Sequence, residues 1–227
     1  MKQLTLLLAC TLAGLIAKSQ SGKTMYSLQD TSQLKALNVT VQAGVLKHHQ
    51  AIKVTDIDPQ ADTELRLVQP ENAYFHNGTI EVELAGQPMK NASEGARGFV
   101  GIAFRIDSSN KEFECFYLRP SNGRAPDQVR RNHAAQYISY PEYPWYQLRK
   151  DFPEKYEAYV DLEVGIWTKV KIEVQDTIAR LYVHGASQPT LIVSDLKHGS
   201  NAKGNVGLWI GPGTEAYFRN LVITKKD

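Results

Sequence analysis

Strict alternation of apolar and polar residues in the last third of the chain is the strongest constraint on the fold. In residues 167–175, WTKVKIEVQ, the side chains of Val170, Ile172 and Val174 share one face of a predicted strand. Residues 176–177 then mark a turn, and residues 178–183, IARLYV, return as the second strand of a hairpin. Because successive side chains of a strand point to opposite faces, the pattern predicts strands with one buried face.

Similar strands are predicted along most of the chain, with little helix and no repeat. They fall at residues 37–42, 45–54, 63–68, 79–84, 98–106, 112–118, 204–210 and 216–224. Short strands joined by turns rich in Gly, Pro, Asn and Asp predict an all-β fold, an antiparallel two-sheet β-sandwich or jelly roll. Trp167, Trp209 and Phe218 are predicted core residues, and Cys115 a buried thiol.

The first nineteen residues have the layout of a secretory signal peptide. A basic start at Met1-Lys2 precedes an apolar run at residues 4–17, and Ala17 and Ser19 supply the small residues before a cut. The run is too short to span a bilayer. Cys10 suggests a lipoprotein, but the apolar run continues past it, so cleavage after Ser19 is favoured over a lipid anchor. We expect a secreted or periplasmic protein.

The predicted domains are a signal peptide at residues 1–19, an N-terminal extension at 20–36, and a sandwich at 37–227 with a long loop at 119–160. Removing Lys2 and Lys18 from the 26 basic residues leaves 24 basic against 24 acidic residues. A balanced charge argues against nucleic acid or a polybasic membrane contact as partner. Cys115 alone would remain, which excludes an intramolecular disulfide.

Residues 119–149, RPSNGRAPDQVRRNHAAQYISYPEYPWYQLR, hold five arginines, one histidine, four tyrosines and a tryptophan. Gly, Pro, Ser and Asn are too frequent for a long helix, and no alternation indicates a strand. A long loop on a β scaffold is more often functional than not. Arginine offers a planar fork for carboxylate or sulfate, and aromatic rings offer flat faces for sugars. The span predicts a surface that contacts extracellular carbohydrate.

Residues 165–174, GIWTKVKIEV, and 179–185, ARLYVHG, resemble the signature hairpin of laminin-G-like, concanavalin A-type sandwiches. Residues 204–210 and 217–224 are similar to the C-terminus of the secreted 3-keto-disaccharide hydrolase family. The resemblance implies a sandwich that binds or processes carbohydrate, with a glycoside hydrolase favoured over a lyase if it is catalytic. A structural calcium site is common on this fold, but no acidic cluster has the spacing of loop ligands, so we predict no metal residue and no cofactor. The carboxylate run of the glucanases on this fold is missing.

The catalytic candidates are Arg130, His133 and Tyr137. Sandwich-fold alginate lyases resemble this inventory: an arginine stabilises the uronate carboxylate, and a tyrosine or histidine removes the C5 proton. The predicted substrate-binding residues share planar or aromatic polar groups, and they are Arg119, Arg124, Arg131, Asn132, Gln136, Tyr143, Trp145 and Arg149.

Other interpretations fit the same residues. Each arginine alone is compatible with an ordinary ion pair, His133 with a loop histidine, and residues 140–145 with an apolar lid packed on the sheet. The alternatives are a non-catalytic laminin-G-like module that binds protein, and a polysaccharide lyase acting on acidic glycan. A concave pocket where Arg130, His133 and Tyr137 converge favours sugar chemistry, whereas a flat apolar surface favours a protein partner.

Overall fold

A computed structural model of the protein describes residues 22–226, which form sixteen strands and three short helices. The predicted signal peptide and its cleavage position lie outside the described residues. Within residues 22–226, no helix is both long and apolar enough to cross a membrane.

The strands are β1 (Lys23–Tyr26), β2 (Leu34–Leu37), β3 (Val39–Leu46), β4 (His49–Asp56), β5 (Leu67–Pro70), β6 (Tyr74–Phe75), β7 (Asn77–Pro88), β8 (Val100–Ile106), β9 (Phe113–Leu118), β10 (Ala135–Tyr140), β11 (Glu157–Ala158), β12 (Thr168–Gln175), β13 (Ile178–Val183), β14 (Leu191–Val193), β15 (Gly204–Ile210) and β16 (Thr214–Lys226). The helices are α1 (Pro120–Gly123), α2 (Gln128–Asn132) and α3 (Trp145–Asp151).

Two eight-stranded antiparallel sheets form the architecture. The first has the order β14-β13-β12-β7-β16-β4-β3, with β1 paired to β16. The second has the order β11-β10-β9-β8-β15-β5-β2, with β6 paired to β15. Neighbours in space are often distant in sequence, as β7 and β16 are, which is typical of a jelly roll. The predicted two-sheet β-sandwich is confirmed.

The core follows the alternation that predicted it. On β12, Val170, Ile172 and Val174 are buried, and Trp209 and Phe218 are buried on β15 and β16. β8 and β9 are buried at every position, because both of their faces are covered. Trp167 differs from its prediction, since it is partly exposed and its Nε1 donates to the Leu46 carbonyl at 3.2 Å.

The first half of the chain departs from the prediction in two places. Residues 20–36 were expected to be an extension, yet they contain β1, which pairs with β16, and β2, which pairs with β5. Strands of four residues are too short to display an alternation. The strand expected at residues 45–54 is broken by a hairpin turn at Lys47 and His48, whose φ angles are 48° and 66°. This two-residue turn lacks the Asn-Gly signal that normally marks it.

Residues 119–160 are not the single irregular loop expected from sequence, and we call them the insert. The insert contains all three helices together with β10 and β11. β10 pairs with β9 over its whole length, and its first five residues are buried. Because both of its faces are covered and Gln136 and Ser139 are buried polar residues, β10 has no alternation from which it could be predicted.

Candidate functional site

A cavity of about 410 Å³ lies where the insert meets the β7–β8 connection and the β15–β16 turn. We call it the arginine cavity. Its lining residues are Ser93, Gly95, Ala96, Arg97, Phe99, Arg119, Asn122, Arg130, His133, Trp145, Arg149 and Pro212. Four guanidinium groups and two aromatic rings therefore surround one space, whose volume is within the usual range for small-molecule sites.

Five of the residues predicted from sequence line this cavity. They are Arg119, Arg130, His133, Trp145 and Arg149. The structure places six others outside its lining: Arg124, Arg131, Asn132, Gln136, Tyr137 and Tyr143.

Two short helices position the side chains of the insert. Asp127 caps α2, and its carboxylate accepts the Arg130 backbone N–H at 2.7 Å. On α3, Trp145 and Arg149 are four residues apart and share one helix face. The Arg149 guanidinium carbon accordingly lies 4.8 Å from the centre of the Trp145 ring, in a cation–π contact.

Glu157 on β11 does not line the cavity, but it binds two of the arginines that do. Its carboxylate accepts two hydrogen bonds from Arg149, at 2.9 Å from Nε and 2.5 Å from Nη2. It also accepts one from Arg119 Nη1 at 3.3 Å. Nδ1 of His133 lies 3.0 Å from the same carboxylate but is out of line for a hydrogen bond. With its side chain 3% exposed, Glu157 is a buried anion that two arginines share and that lies next to His133.

The guanidinium of Arg119 is committed to the protein interior. Besides Glu157, it donates to the His133 carbonyl at 2.9 Å, the Tyr117 hydroxyl at 2.8 Å and Oε1 of Gln136 at 3.1 Å. Gln136 in turn donates to the backbone carbonyl of Tyr137 at 2.9 Å. Burial raises the pKa of Tyr117, and the charge of Arg119 opposes that rise. Arg119 is therefore held in place at the cavity, where it contributes positive charge but few free hydrogen-bond donors.

Arg97 and Arg130 differ from the other two arginines because they have no carboxylate partner within residues 22–226. Arg97 Nη1 donates to two backbone carbonyls, those of Glu94 and Ala96. Arg130 is exposed, and its guanidinium makes no hydrogen bond or ion pair to a described residue. Burial lowers the pKa of Arg97, and the nearby charges of Arg130 and Arg119 lower it further. Two uncompensated cations thus face one space, an arrangement that a bound anion stabilises.

The surroundings of His133 lower its pKa, which favours the neutral imidazole. Burial lowers its pKa, and the charge of the Glu157 carboxylate opposes this, whereas Arg149 and Arg119 add to it. A neutral imidazole next to guanidinium groups can accept a proton, which is the property of a general base.

Asn122 on α1 adds a polar group that composition did not suggest. Its Nδ2 donates to the His133 carbonyl at 3.2 Å, while its buried Oδ1 has no partner among the described residues. Buried acceptors are normally paired.

Tyr137, a predicted catalytic residue, lies in the interior away from the cavity. Its hydroxyl donates to Oε2 of Glu114 at 2.5 Å and accepts the backbone N–H of Lys197 at 3.1 Å. Burial and the Glu114 charge raise its pKa. Adjacent residues of a strand point to opposite faces, so Gln136 turns toward Arg119 while Tyr137 turns toward Glu114.

The remaining predicted residues have partners of their own. Arg124 is exposed and pairs with Asp161 at 2.8 Å. Arg131 donates to the Tyr159 hydroxyl at 2.8 Å, and the Tyr143 ring centre lies 5.3 Å from Lys197 Nζ. Asn132 lines a neighbouring cavity described below.

Acidic groups do not line the arginine cavity in the part of the chain that the structure describes. Glu157 lies behind the wall, and Glu64 is within electrostatic reach of Arg119 without lining the space. Burial raises the pKa of Glu64, which the charges of Arg66 and Arg119 partly offset. Residues 22–226 also contain no group of three or more His, Cys, Asp or Glu side chains able to hold a metal ion.

Sequence reasoning missed Arg97, Phe99, Asn122 and Glu157. Arg97 and Phe99 lie in and just after the polar connection between β7 and β8, far from the insert in sequence. Glu157 reaches the site through the pairing of β11 with β10, opposite Gln136. No local signal marks these residues, since tertiary pairing alone brings them to the cavity.

Comparison with solved structures identifies the fold but not a family. The chain is similar to the carbohydrate-binding module CBM66 from Bacillus subtilis, with 13% identity, coverage of 86% of this chain and 95% of that one, and a TM-score of 0.54. A protein of unknown function with a galectin-like fold from Bacillus subtilis is 11% identical, with coverage of 91% of this chain and 98% of that one and a TM-score of 0.57. The Bacillus licheniformis β-glucanase is 12% identical, with coverage of 90% of this chain and 99% of that one and a TM-score of 0.51.

These neighbours share the two-sheet jelly-roll fold of this chain. Comparison with protein-family models and with curated proteins gives no match. The similarity to the 3-keto-disaccharide hydrolases stays a prediction from the sequence.

Proposed function

We propose that this chain is an exported carbohydrate-binding domain whose arginine cavity takes an acidic sugar residue, carrying a carboxylate or a sulfate. The observation that carries the proposal is the pair Arg97 and Arg130, two guanidinium groups that face one cavity without a carboxylate partner among the described residues. An acidic sugar supplies the missing anion and brings a ring to place against an aromatic face.

The cavity suits both parts of such a ligand. A guanidinium can bind a carboxylate or sulfate through two parallel hydrogen bonds, each stronger than a neutral one. Trp145, 38% exposed, and Phe99 give the sugar ring apolar contact area. Charge and stacking together favour an acidic sugar over a neutral one.

Binding is better supported than hydrolysis. Glycosidases commonly place two carboxyl groups on either side of the scissile bond. No acidic side chain of residues 22–226 lines this cavity, and Glu157 is already engaged by Arg119, Arg149 and His133. We therefore favour a non-catalytic carbohydrate-binding domain over a glycoside hydrolase, and both over a protein-binding module.

β-Elimination is the second candidate, and His133 is the observation that favours it. A lyase needs a cation on the uronate carboxylate and a base for the C5 proton. Arg130 and a neutral His133 line the same cavity, which brings both roles together. Lyase activity would have to proceed without Tyr137, which faces the interior.

Several solved structures with a similar fold are described as carbohydrate-binding or carbohydrate-active proteins, which supports a carbohydrate ligand. One is a carbohydrate-binding module and another is a β-glucanase. A third is domain 4 of an extracellular arabinanase, in complex with arabinotriose, with a TM-score of 0.51 and 13% identity. The extracellular arabinanase and the signal-like residues 1–19 favour a secreted or periplasmic location over a lipid-anchored one.

The test compares variants of single arginines in calorimetric titrations. Glucuronate and a sulfated hexose are the acidic probes, and glucose is the neutral control. We expect acidic probes alone to bind, with Arg130→Ala and Arg97→Ala each weakening them about tenfold or more, since a hydrogen bond to a charged group contributes about 1.5–3 kcal/mol. Arg124→Ala is the control, because Arg124 belongs to the insert and does not line the cavity.

Added salt should weaken the acidic probes in the parent protein, since the attraction is between charges. Equal binding of glucose and glucuronate, or equal losses in Arg124→Ala and Arg130→Ala, would overturn the proposal. Incubation with polyuronate, followed by absorbance of unsaturated ends and by reducing-end release, separates the candidates. Neither signal is expected from a binding domain. Unsaturated ends that disappear in His133→Gln would favour the lyase instead.

A further inference from the structure

A second cavity, of about 370 Å³, lies next to the arginine cavity. Both are lined by His133 and Arg149, so the two spaces are on either side of the same pair of side chains. The other residues lining the second cavity include Asn132, Glu154 and Tyr159. We call it the adjacent cavity.

The adjacent cavity is less positive than the arginine cavity, since Arg149 is the one arginine that lines it among the described residues. The arginine cavity has four arginines and no acidic lining residue among the described residues, whereas Glu154 and Glu157 line its neighbour. Glu157 is already paired with Arg149 and Arg119, but the exposed Glu154 carboxylate makes no ion pair or hydrogen bond to a described residue. Glu154 therefore repels a second anion and accepts hydrogen bonds from hydroxyl groups.

Tyr159 gives the adjacent cavity an aromatic face held in place. The ring is 43% exposed. The Arg131 guanidinium donates to its hydroxyl at 2.8 Å and lies 4.9 Å from the ring centre. Because Arg131 restrains the ring, little rotamer freedom is lost when a ligand packs against it. Asn132, predicted from sequence as a ligand contact, thus lines this second space rather than the first, and Arg131 supports it through Tyr159.

We propose that the adjacent cavity is a second sugar subsite, selective for a neutral, hydroxyl-rich residue linked to the acidic residue in the arginine cavity. The proposal rests on the proposed function, because the acidic residue anchors the ligand. Its ligand class is an oligosaccharide in which an acidic and a neutral sugar are joined, rather than an acidic homopolymer or a single sugar. His133 and Arg149 would lie beside the linkage between the two residues.

The test uses three defined probes in calorimetric titrations of the full chain. They are glucuronate, a disaccharide of glucuronate and N-acetylglucosamine, and digalacturonate. We expect the acidic–neutral disaccharide to bind about tenfold tighter than glucuronate, because linkage turns contact at the second subsite into an intramolecular event. Digalacturonate should gain less, since Glu154 repels its second carboxylate.

Variants separate this inference from the function on which it rests. Tyr159→Ala should remove the gain of the acidic–neutral disaccharide and leave glucuronate affinity unchanged, while Tyr159→Phe should retain most of the gain. Glu154→Gln should let digalacturonate bind as tightly as the mixed disaccharide. If glucuronate binds but the mixed disaccharide binds no tighter, or if Tyr159→Ala preserves the gain, the second subsite is refuted alone. If no acidic probe binds, the proposed function fails first.

Discussion

Replacing Glu157 by glutamine tests the network behind the arginine cavity. The amide keeps the size of the side chain and removes its charge. One of its two oxygens becomes an NH₂ group, which is a donor facing the donors of Arg119 and Arg149. Two guanidinium groups thereby lose their shared counter-ion, and Arg119, whose side chain is 6% exposed, cannot turn to water.

The expected loss follows from how deeply the pair is buried. Breaking a buried ion pair by removing one partner destabilises a protein by about 3–5 kcal/mol. The Arg149 side chain is 35% exposed and can be partly rehydrated, so the lower end, about 3 kcal/mol, applies. A domain of this size changes its melting temperature by about 2–4 °C per kcal/mol, which predicts a decrease of about 6–12 °C.

Thermal unfolding followed by circular dichroism at neutral pH measures the effect. Glu163→Gln is the matched control, since Glu163 also pairs with an arginine, Arg124 at 2.7 Å, but both side chains are about half exposed. Solvent screens an exposed pair, so the control should melt within a few degrees of the parent. Equal melting temperatures for the two variants would refute the assignment of Glu157 as a buried counter-ion.

Four further predictions follow from single sites. Cys115 is fully buried and its pKa is raised by burial, so Ellman's reagent should modify it in denaturant and not in the native protein. Asp56→Asn should lower the free energy of unfolding in urea by about 3 kcal/mol or more, because it breaks the buried pair with Arg66 at 2.8 Å. Burial raises the pKa of Asp195, but hydrogen bonds from neighbouring lysine and tyrosine side chains lower it to about 2. The ionised Asp195 therefore stabilises the fold above about pH 4, and this stabilisation is lost as the pH falls through about 2. Because the side chain is 39% exposed, the contribution is about 1 kcal/mol, and Asp195→Asn should lack it in acid titrations of stability. The lowered pKa of His133 predicts that a sulfated probe binds tighter as the pH falls below about 6.5, in the parent and not in His133→Gln; a flat profile in the parent would contradict this.

A strand can be predicted from the sequence when one of its faces is buried and the other is exposed to solvent. The β12–β13 hairpin was predicted with bounds within a residue of those observed, because Val170, Ile172 and Val174 alternate with polar residues. β10 was missed for the opposite reason: both of its faces are covered, and Gln136 is buried by hydrogen bonds rather than by apolar character.

The same distinction governs the site. Arg130 and His133 are three residues apart, at α2 and its C-cap, so their convergence has a local cause that a sequence can suggest. Tyr137 is near them in sequence but lies on a strand, where its neighbour Gln136 takes the face turned toward Arg119. Arg97 and Glu157 come to the cavity through strand pairing and loop packing, and their contribution depends on a register that one sequence does not reveal.

The charges around the arginine cavity are only partly balanced. Glu157 neutralises one positive charge and is shared between Arg119 and Arg149, which leaves an excess of positive charge even with His133 neutral. A second buried carboxylate would neutralise that excess, but no acidic side chain of residues 22–226 lines the cavity. Instead, Arg97 is held by backbone carbonyls and Arg119 by neutral oxygens, so their positions are fixed before an anion arrives. A preorganised site loses little side-chain entropy on binding, so under the proposed function the unpaired charge would contribute to the binding free energy of an acidic ligand.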